Sequence, residues 1–286
     1  MMTNKVDTLR DIFNSNTLNV TPCCWDALSA KLIEQAGFPL AFMSGFGVSA
    51  FHLGLPDTGL ISSTEMINQA RNITAVTSIP LIGDGDTGYG NPLNVKKTVN
   101  NYAQAGVACI MIEDQLSPKR CGHTQGKQVV DRAEACMRIQ AAVDARNAGS
   151  NILILARTDA RESLGLDEAI TRANLFRDIG ADMTFIEAPK SINEMAQICD
   201  QVKGPKMANM LEGGMTPFLD VTDLQDLGFS IAAYPFTTMM GAIKAIQDAL
   251  GEMKSGKFPK PQMSFDDLQQ TVGFNDYYQQ EDKYKI

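Results

Sequence analysis

Six short apolar runs in this chain each end in a polar side chain that could bind a substrate or a metal ion. They are Met43-Ser44-Gly45, Gly83-Asp84-Gly85-Asp86, Ile112-Glu113-Asp114, Ala156-Arg157-Thr158-Asp159, Ile186-Glu187 and Ala208-Asn209. In a barrel of parallel strands, the residues that follow the strands face one shared site. Several acidic residues in register after successive strands therefore indicate a metal-assisted enzyme.

The acidic residues are concentrated in a glycine-rich segment, 83–90, where Asp84 and Asp86 lie two residues apart. Glycines permit tight turns and let the backbone approach a ligand closely. Carboxylates bind hard cations such as Mg²⁺, which keeps several waters and needs only one or two direct carboxylate ligands. Asp57 and Glu113 could complete an outer shell around such an ion. The alternative is a solvated acidic turn. No Gly-Lys-Ser/Thr follows these glycines, which argues against a phosphate-binding loop.

A second group of reactive residues lies in residues 117–127, which we call the lid segment. It places Cys121 among four cationic or ionisable residues, namely Lys119, Arg120, His123 and Lys127. Such neighbours predict thiolate character, which suits a proton donor or acceptor, or a nucleophile. Gly122 and Gly126 predict hinge-like freedom, so the segment could close over a site. The alternative is a basic loop with an incidental thiol.

Arg157 is a candidate carboxylate clamp, because its planar guanidinium binds carboxylates through two parallel hydrogen bonds. The alternative is a structural ion pair with Asp159 or Glu187. Asn209 is a weaker candidate for the same site. The sequence shows no Ser-His-Asp pattern, and His52 lies among apolar residues, where a structural role is expected.

Composition excludes several classes of function. The chain has 286 residues, of which 44% are hydrophobic and 20% charged, as is ordinary for a globular enzyme. Its net charge of −8 argues against a nucleic-acid partner but not against a small anionic substrate. The six cysteines lack metal-binding spacing, so reduced thiols are expected. Residues 1–10 lack the apolar core of a signal peptide, and no run approaches the roughly 20 apolar residues of a membrane span. We expect a cytoplasmic protein with no membrane partner.

Eight short, nearly continuous apolar runs predict strands that are buried on both faces. They are Leu18–Thr21, Leu40–Met43, Ile79–Gly83, Ala108–Glu113, Ile152–Ala156, Asp182–Ile186, Pro205–Ala208 and Ser230–Tyr234. Amphipathic helical patterns lie between them, with predicted caps such as Ser63 and Asn91. The alternation predicts an α/β fold, a (β/α)₈ TIM barrel. A doubly wound sheet would also alternate, but it would gather functional residues near one switch point.

The chain divides into an expected catalytic barrel, residues 1–255, and a C-terminal extension, residues 256–286. Within the extension, residues 257–261 are typical of an extended linker, and Ser264–Thr271 is predicted to be a short helix. The extension is either a loosely packed terminus or a segment that docks on a neighbouring subunit.

Taken together, these motifs resemble the isocitrate lyase/phosphoenolpyruvate mutase superfamily over nearly the whole chain. The resemblance rests on Ser44-Gly45, Gly54-Leu55-Pro56-Asp57, Asp84-Gly85-Asp86-Thr87-Gly88-Tyr89-Gly90, Glu113-Asp114-Gln115, Pro118-Lys119-Arg120-Cys121-Gly122-His123, Ala156-Arg157-Thr158-Asp159, Ala208-Asn209-Met210 and Tyr234-Pro235. The lid with Cys121 is typical of the carbon–carbon lyase branch, whereas the mutases and phosphonopyruvate hydrolases carry an asparagine-bearing lid. Within that branch the chain is most similar to the 2-alkylmalate and 2,3-dimethylmalate lyases, which include petal-death-protein-like enzymes, and then to methylisocitrate lyases.

The resemblance implies a role for each candidate residue. It implies Mg²⁺, with Mn²⁺ as an alternative, at a site formed by Asp84 and Asp86 with support from Asp57 and Glu113. The keto-acid half of the substrate would be bound by Ser44, Gly45, Phe46 and Arg157. Cys121 would protonate the departing enolate within a catalytic group that also includes Lys119, His123 and Arg157, while Glu187 and Asn209 would complete the substrate site. Family members are usually homotetramers that exchange C-terminal helices between subunits.

The implied reaction is metal-dependent cleavage of a 2-hydroxy dicarboxylate into an α-keto acid and a carboxylate. Phe42 stands where methylisocitrate lyases carry a tyrosine, which favours the alkylmalate branch. Three alternatives remain: an oxaloacetate hydrolase or decarboxylase, a phosphonate-cleaving enzyme, and a non-catalytic binding barrel. The substituents of the substrate are expected to depend on the pocket near Phe46, Met210, Phe236 and Thr237.

Overall fold

A computed structural model describes residues 4–124, 126–257, 259–260 and 263–285. Its eight strands form a closed parallel barrel in chain order, which confirms the predicted TIM barrel. They are β1 (Asn19–Cys24), β2 (Ala41–Met43), β3 (Leu81–Asp84), β4 (Cys109–Glu113), β5 (Leu153–Thr158), β6 (Met183–Ile186), β7 (Lys206–Asn209) and β8 (Ile231–Tyr234). Gln125 of the predicted lid segment, and Phe258 and Pro261 of the predicted linker, lie outside the described residues.

Helices connect the strands and extend the chain at both ends. They are α1 (Lys5–Phe13), α2 (Ala27–Gln35), α3 (Gly45–Val48), α4 (Ser63–Val76), α5 (Pro92–Gln104), α6 (Arg132–Asn147), α7 (Ala160–Leu164), α8 (Leu166–Ile179), α9 (Ile192–Gln201), α10 (Val221–Leu227), α11 (Thr237–Lys254), α12 (Phe265–Val272) and α13 (Phe274–Lys283). A π-helical turn, Ser49–Leu53, follows α3. Among the described residues, no helix is both long enough and apolar enough to cross a membrane.

The predicted cap of α4 was wrong by one residue. Ser62, not Ser63, accepts a hydrogen bond from the amide of Glu65, and the Glu65 carboxylate accepts one from the amide of Ser62. This reciprocal pair satisfies two amides that would otherwise lack partners, and it therefore fixes where the helix begins. The cap at Asn91 is confirmed, with Pro92 in the first turn of α5.

Strand alternation explains how six polar residues reach one end of the barrel. Each of six strands contributes an apolar side chain to the central core, and these are Phe42, Ile82, Met111, Leu155, Phe185 and Met207. Side chains two apart on a strand face the same side. The residues two positions further along are Ser44, Asp84, Glu113, Arg157, Glu187 and Asn209. The same periodicity that fills the core therefore presents polar groups where the strands end.

The opposite end of the barrel is closed by α1, an element that the sequence analysis did not predict. Leu9 and Phe13 of α1 are buried in the same cluster as the barrel interior. The Lys5 ammonium donates to the carbonyl of Thr77, just before β3, at 2.6 Å. This contact places α1 at the amino ends of the strands. The barrel is therefore apolar at its base and polar at its mouth.

The chain forms two compact units, Met1–Thr238 and Met239–Ile286. The domain division predicted from the sequence, at 255/256, lies within the second unit. That unit comprises most of α11 together with α12 and α13; α12 is close to the predicted Ser264–Thr271 helix, whereas α13 was not predicted. Several large apolar side chains on these helices are exposed, including Ile246, Leu250 and Phe265.

Candidate active site

A cavity opens at the carboxyl ends of the strands and brings most of the predicted site residues together. Its lining includes Ser44, Phe46, Asp57, Asp84, Cys121, His123, Arg157, Glu187 and Asn209. Gly45, Asp86, Glu113 and Lys119 lie behind this lining, where each contacts one of its residues. The four residues expected to determine the substrate's substituents lie in different places. Phe46 and Phe236 line the cavity, Met210 packs in an outer apolar cluster with Leu18, and Thr237 donates a hydrogen bond to the Glu212 carboxylate.

Asp84 is held rigidly at the end of β3. Its carboxylate accepts hydrogen bonds from the amides of Gly45, at 3.1 Å, and Asp86, at 3.0 Å. The Tyr102 hydroxyl donates to the Asp84 carbonyl at 2.6 Å. A Cβ atom on Gly45 would lie 2.6 Å from Asp84 Oδ2, so this close approach requires glycine. The Gly45 amide therefore helps to hold the Asp84 carboxylate in place.

Lys119 of the lid segment reaches into the acidic cluster. Its ammonium lies 2.5 Å from Asp57 Oδ1 and 2.9 Å from Asp86 Oδ1. Burial lowers the pKa of Lys119, but the carboxylates of Asp86 and Asp57 outweigh burial and hold that pKa well above its usual value. Burial raises the pKa of Asp86 to about 6, although Lys119 opposes the increase. The lysine therefore remains charged and neutralises part of the cluster.

Arg157 lines the cavity and forms the ion pairs with Asp159 and Glu187 that were the alternative interpretation of this residue. Its Nε lies 2.8 Å from Asp159 and 3.3 Å from Glu113, and its Nη2 lies 3.1 Å from Glu187. The guanidinium carbon also lies 5.4 Å from the centre of the Phe185 ring. These contacts fix the plane of the guanidinium, which is the requirement for directional binding of a substrate carboxylate.

The predicted thiolate character of Cys121 is wrong. Burial raises the pKa of the thiol above its usual value of 9.0, although a backbone hydrogen bond with His123 opposes that shift. The expected cationic neighbours are engaged elsewhere, because Lys119 pairs with Asp57 and Asp86 while Lys127 pairs with Asp159. Cys121 is therefore a neutral thiol at physiological pH. A neutral thiol can donate a proton, but it is a poor nucleophile.

His123 is oriented from both sides of its ring. The Met215 amide donates to Nδ1 at 3.1 Å, and Nε2 lies 3.1 Å from Glu187 Oε1. This pattern assigns the imidazole proton to Nε2, because Nδ1 acts as an acceptor. Burial would raise the pKa of Glu187, but Arg157 and His123 outweigh it and lower the pKa. Glu187 therefore remains ionised and links the lid to Arg157.

The sequence analysis named Asp159 as a possible ion-pair partner of Arg157 and Asp114 only as part of a motif, and the structure gives both a structural role. Asp159 binds Arg157 and Lys127. Burial raises the pKa of the Asp159 carboxyl, but these two cations outweigh burial and lower that pKa below its usual value. Asp114 accepts hydrogen bonds from the Asp159 amide and the Thr158 hydroxyl, and it pairs with Arg172 at 3.0 Å. Asp114 follows Glu113 directly and so faces away from the cavity, which the period-two pattern of a strand could have revealed.

The acidic cluster fits a hydrated divalent cation. Glu113 Oε1 is buried without a hydrogen-bond partner, and burial raises the pKa of this carboxyl well above its usual value. Asp57, Asp84 and Asp86 are also buried, so the negative charge of this cluster exceeds the single positive charge of Lys119. Across the described residues, no three His, Cys, Asp or Glu side chains converge as direct ligands. Mg²⁺ tolerates this arrangement, because it keeps several water ligands.

Comparisons with known proteins agree with this geometry. The family model of phosphoenolpyruvate phosphomutase matches residues 9–254. The 2,3-dimethylmalate lyase of Eubacterium barkeri is 42% identical over 247 residues, which cover 86% of this chain and 85% of that protein. A structure of oxaloacetate acetylhydrolase with the inhibitor 3,3-difluorooxalacetate is 35% identical, with a TM-score of 0.94, and covers 98% of this chain and 97% of that one. A phosphonopyruvate hydrolase complex with oxalate and Mg²⁺ is 28% identical, with a TM-score of 0.88, and covers 99% of both chains.

Proposed function

The chain belongs to the phosphoenolpyruvate mutase/isocitrate lyase superfamily, and from this premise we propose that it is a Mg²⁺-dependent lyase of 2-hydroxy dicarboxylates. The substrate would be of the 2-alkylmalate type, and the products would be an α-keto acid and a carboxylate. The observation that carries this proposal is the neutral, partly buried Cys121 thiol at the cavity, beside His123 and Arg157. Carbon–carbon cleavage yields an enolate that needs a proton, and this thiol can supply one.

We assign the metal to the acidic cluster. Asp84 and Asp86 would hold Mg²⁺, with Mn²⁺ as an alternative, and Asp57 and Glu113 would support its water ligands. The partnerless Glu113 Oε1 and the excess of buried negative charge support this assignment. When bound, the cation would stabilise negative charge on the substrate oxygen. A related enzyme has been solved with oxalate and Mg²⁺.

The chain's own residues would orient the substrate. Ser44 and Phe46 line the cavity beside Asp84 and would bind the carboxylate of the keto-acid half. The orientation of Arg157, which Asp159 and Glu187 fix, suits a contact with the same half. Asn209 lies 3.5 Å from both Glu187 and His123, where it would contact the substrate from the β7 side.

Cys121 would deliver its proton to the carbon of the departing enolate. The proton leaves Sγ, and the electron pair of the broken carbon–carbon bond accepts it to form the new C–H bond, which leaves a thiolate. The substrate hydroxyl loses its proton as its oxygen becomes the keto-acid carbonyl, and that proton balances the one that the thiol gives up. Lys119 and His123 hold the two sides of Cys121, Lys119 through its ion pair with Asp57 and His123 through its hydrogen bond to Glu187. The docked lid would also keep water from intercepting the enolate.

The apolar wall of the cavity favours an alkyl-substituted substrate over oxaloacetate. Phe46 and Phe236 pack with their ring centres 4.7 Å apart, and Leu211 and Pro235 extend the same lining. An alkyl group would fill this surface and gain roughly 0.8 kcal/mol per buried methylene. Oxaloacetate carries no such group. The similarity to oxaloacetate acetylhydrolase nevertheless keeps oxaloacetate hydrolysis as the second candidate.

We further infer a cytoplasmic homotetramer. All six cysteines are free, as expected for a reducing compartment. The exposed apolar side chains on α11–α13 are typical of surfaces that bind another subunit.

A substrate panel tests the proposed reaction. Purified protein with Mg²⁺ is incubated with malate, 2-methylmalate, 2,3-dimethylmalate, 2-methylisocitrate and oxaloacetate, and the products are quantified. The expected result is release of a 2-oxo acid from an alkyl-substituted malate. Faster release of oxalate and acetate from oxaloacetate would assign the hydrolase reaction instead. Release of pyruvate and CO₂ from oxaloacetate would assign the decarboxylase.

A further inference from the structure

The lid segment is docked on the barrel through three cationic or ionisable side chains that contact carboxylates. Lys119 contacts Asp57 and Asp86, and His123 contacts Glu187. The third contact is made by Lys127, at the end of the segment. Its ammonium lies 2.9 Å from Asp159 Oδ1 and 3.3 Å from Glu162 Oε2.

The Lys127 cluster differs from the other two contacts because none of its members lines the cavity. The lining includes Asp57, His123 and Glu187, but not Lys127, Asp159 or Glu162. Asp159 follows β5 directly, and Glu162 lies on α7. The side chains of Lys127 and Asp159 are 1% and 0% exposed, so their ion pair is shielded from solvent. Buried pairs of this kind are lost only at a considerable cost.

Lys127 also acts on the lid segment itself. Its ammonium donates to the carbonyl of Gly122, which follows Cys121 directly. Gly122 packs so closely on Glu187 and Arg157 that a Cβ atom would collide with both side chains. The peptide next to the Cys121 thiol is therefore held between the Lys127 ammonium on one side and the Glu187 carboxylate and Arg157 guanidinium on the other.

We propose that Lys127, Asp159 and Glu162 form a latch that keeps the lid segment docked and so positions the Cys121 thiol. Asp159 shares its carboxylate between Lys127 and Arg157, so docking of the lid and orientation of the guanidinium depend on the same group. The catalytic consequence of the latch rests on the proposed lyase function. The latch itself is a property of the protein without substrate, and it can be measured independently.

The test measures how readily iodoacetamide alkylates each accessible cysteine in the full-length protein. Peptide mass spectrometry follows Cys121 beside Cys136 and Cys199, which are also partly exposed and serve as internal controls. Lys127→Met removes the latch charge. Lys203→Met, which removes an exposed ion pair with Asp178, is the matched control. Glu162→Gln weakens the latch without touching the buried Lys127–Asp159 pair, and Lys127→Arg keeps the charge.

The proposal predicts that Lys127→Met raises the alkylation rate of Cys121 about tenfold, as expected for loss of buried charged hydrogen bonds. The alkylation rates of Cys136 and Cys199 should not change. Glu162→Gln should raise the alkylation rate of Cys121 by a smaller factor, and Lys127→Arg should keep part of the protection that Lys127 gives. With a substrate from the panel, kcat should fall more than KM rises. An unchanged Cys121 rate would overturn the proposal, and so would an equal increase at all three cysteines. Because alkylation needs no substrate, failure of the lyase assay leaves this result intact.

Discussion

At the scale of single residues, the types and spacing of the site residues predicted which groups converge but not their charge states. The alternation along the strands was sufficient to place Asp84, Arg157 and Glu187 at one end of a barrel. The thiolate expected at Cys121 was wrong, because burial raises the pKa of the thiol, and because Lys119 and Lys127 are engaged by carboxylates that lie distant in sequence. A local cluster of cations therefore cannot predict a pKa until their partners are known.

Replacement of Cys121 by serine tests its role as a proton donor. A serine hydroxyl is a far weaker acid than a thiol, so kcat should fall by about 10²–10⁴-fold, the usual contribution of general acid catalysis. Binding of oxalate, as a mimic of the keto acid, should be retained because Ser44 and Arg157 are unchanged. Steady-state kinetics and oxalate inhibition measure the two effects. Full activity in Cys121→Ser would remove the thiol from the mechanism.

The pH dependence of Cys121 alkylation tests its protonation state. Burial raises the pKa of this thiol above 9.0, so the neutral, unreactive form predominates at neutral pH. The alkylation rate should therefore rise as the pH increases through the raised pKa. Because the pKa is raised, the thiol should also keep its proton, and so remain a proton donor, across the neutral range. Peptide mass spectrometry at a series of pH values gives the midpoint. A midpoint well below 9 would instead show the thiolate character expected from the sequence.

At the scale of elements, the eight strands were predictable because each is a short apolar run buried on both faces. Helix α1 was missed, because its polar sequence hides three apolar side chains, Val6, Leu9 and Phe13, that only the closed barrel can bury. The start of α4 was misplaced by one residue, since Ser62 and Ser63 are adjacent and only the reciprocal bond with Glu65 distinguishes them. Tertiary packing decided the first case, whereas a local capping box between Ser62 and Glu65 decided the second.

Truncation of Leu9 tests the assignment of α1 as the base of the barrel. Leu9 is fully buried, so Leu9→Ala should lower the free energy of unfolding by about 2–5 kcal/mol. Turnover of the folded protein should not change, because the site lies at the other end. Urea unfolding and steady-state kinetics measure these effects. Leu93→Ala, at a side chain that is 75% exposed, is the matched control and should change stability by less than about 0.5 kcal/mol. Equal effects of the two substitutions would contradict the assignment.

At the scale of the whole molecule, the fold and the reaction class followed from the sequence and its family resemblance, and the compact units divide at a different residue from the domain division expected at 255/256. The barrel unit ends at Thr238, near the start of α11, although the helical pattern continues to Lys254. Periodicity reports where a helix ends but not to which compact unit its residues belong. The inferred homotetramer would explain why apolar residues of α11 are exposed in a single chain.

Introduction of a charge on α11 tests the inferred homotetramer. Leu250 is 58% exposed, so Leu250→Glu should not disturb a monomer, but it should weaken an apolar subunit contact and shift the protein to smaller species. Analytical ultracentrifugation gives the masses of the wild type and of the variant. Leu93→Glu, on α5 of the barrel unit, serves as the comparison. A monomeric wild-type protein would contradict the inference.

The proposal of a metal-assisted carbon–carbon lyase is tested most directly by the product balance of 2,3-dimethylmalate turnover with Mg²⁺. We predict one pyruvate and one propionate for each substrate molecule consumed, loss of the reaction on chelation, and its recovery when Mg²⁺ is restored. Turnover that is insensitive to chelation would contradict the account. So would the absence of a 2-oxo acid product from every 2-hydroxy dicarboxylate in the panel while oxaloacetate yields oxalate.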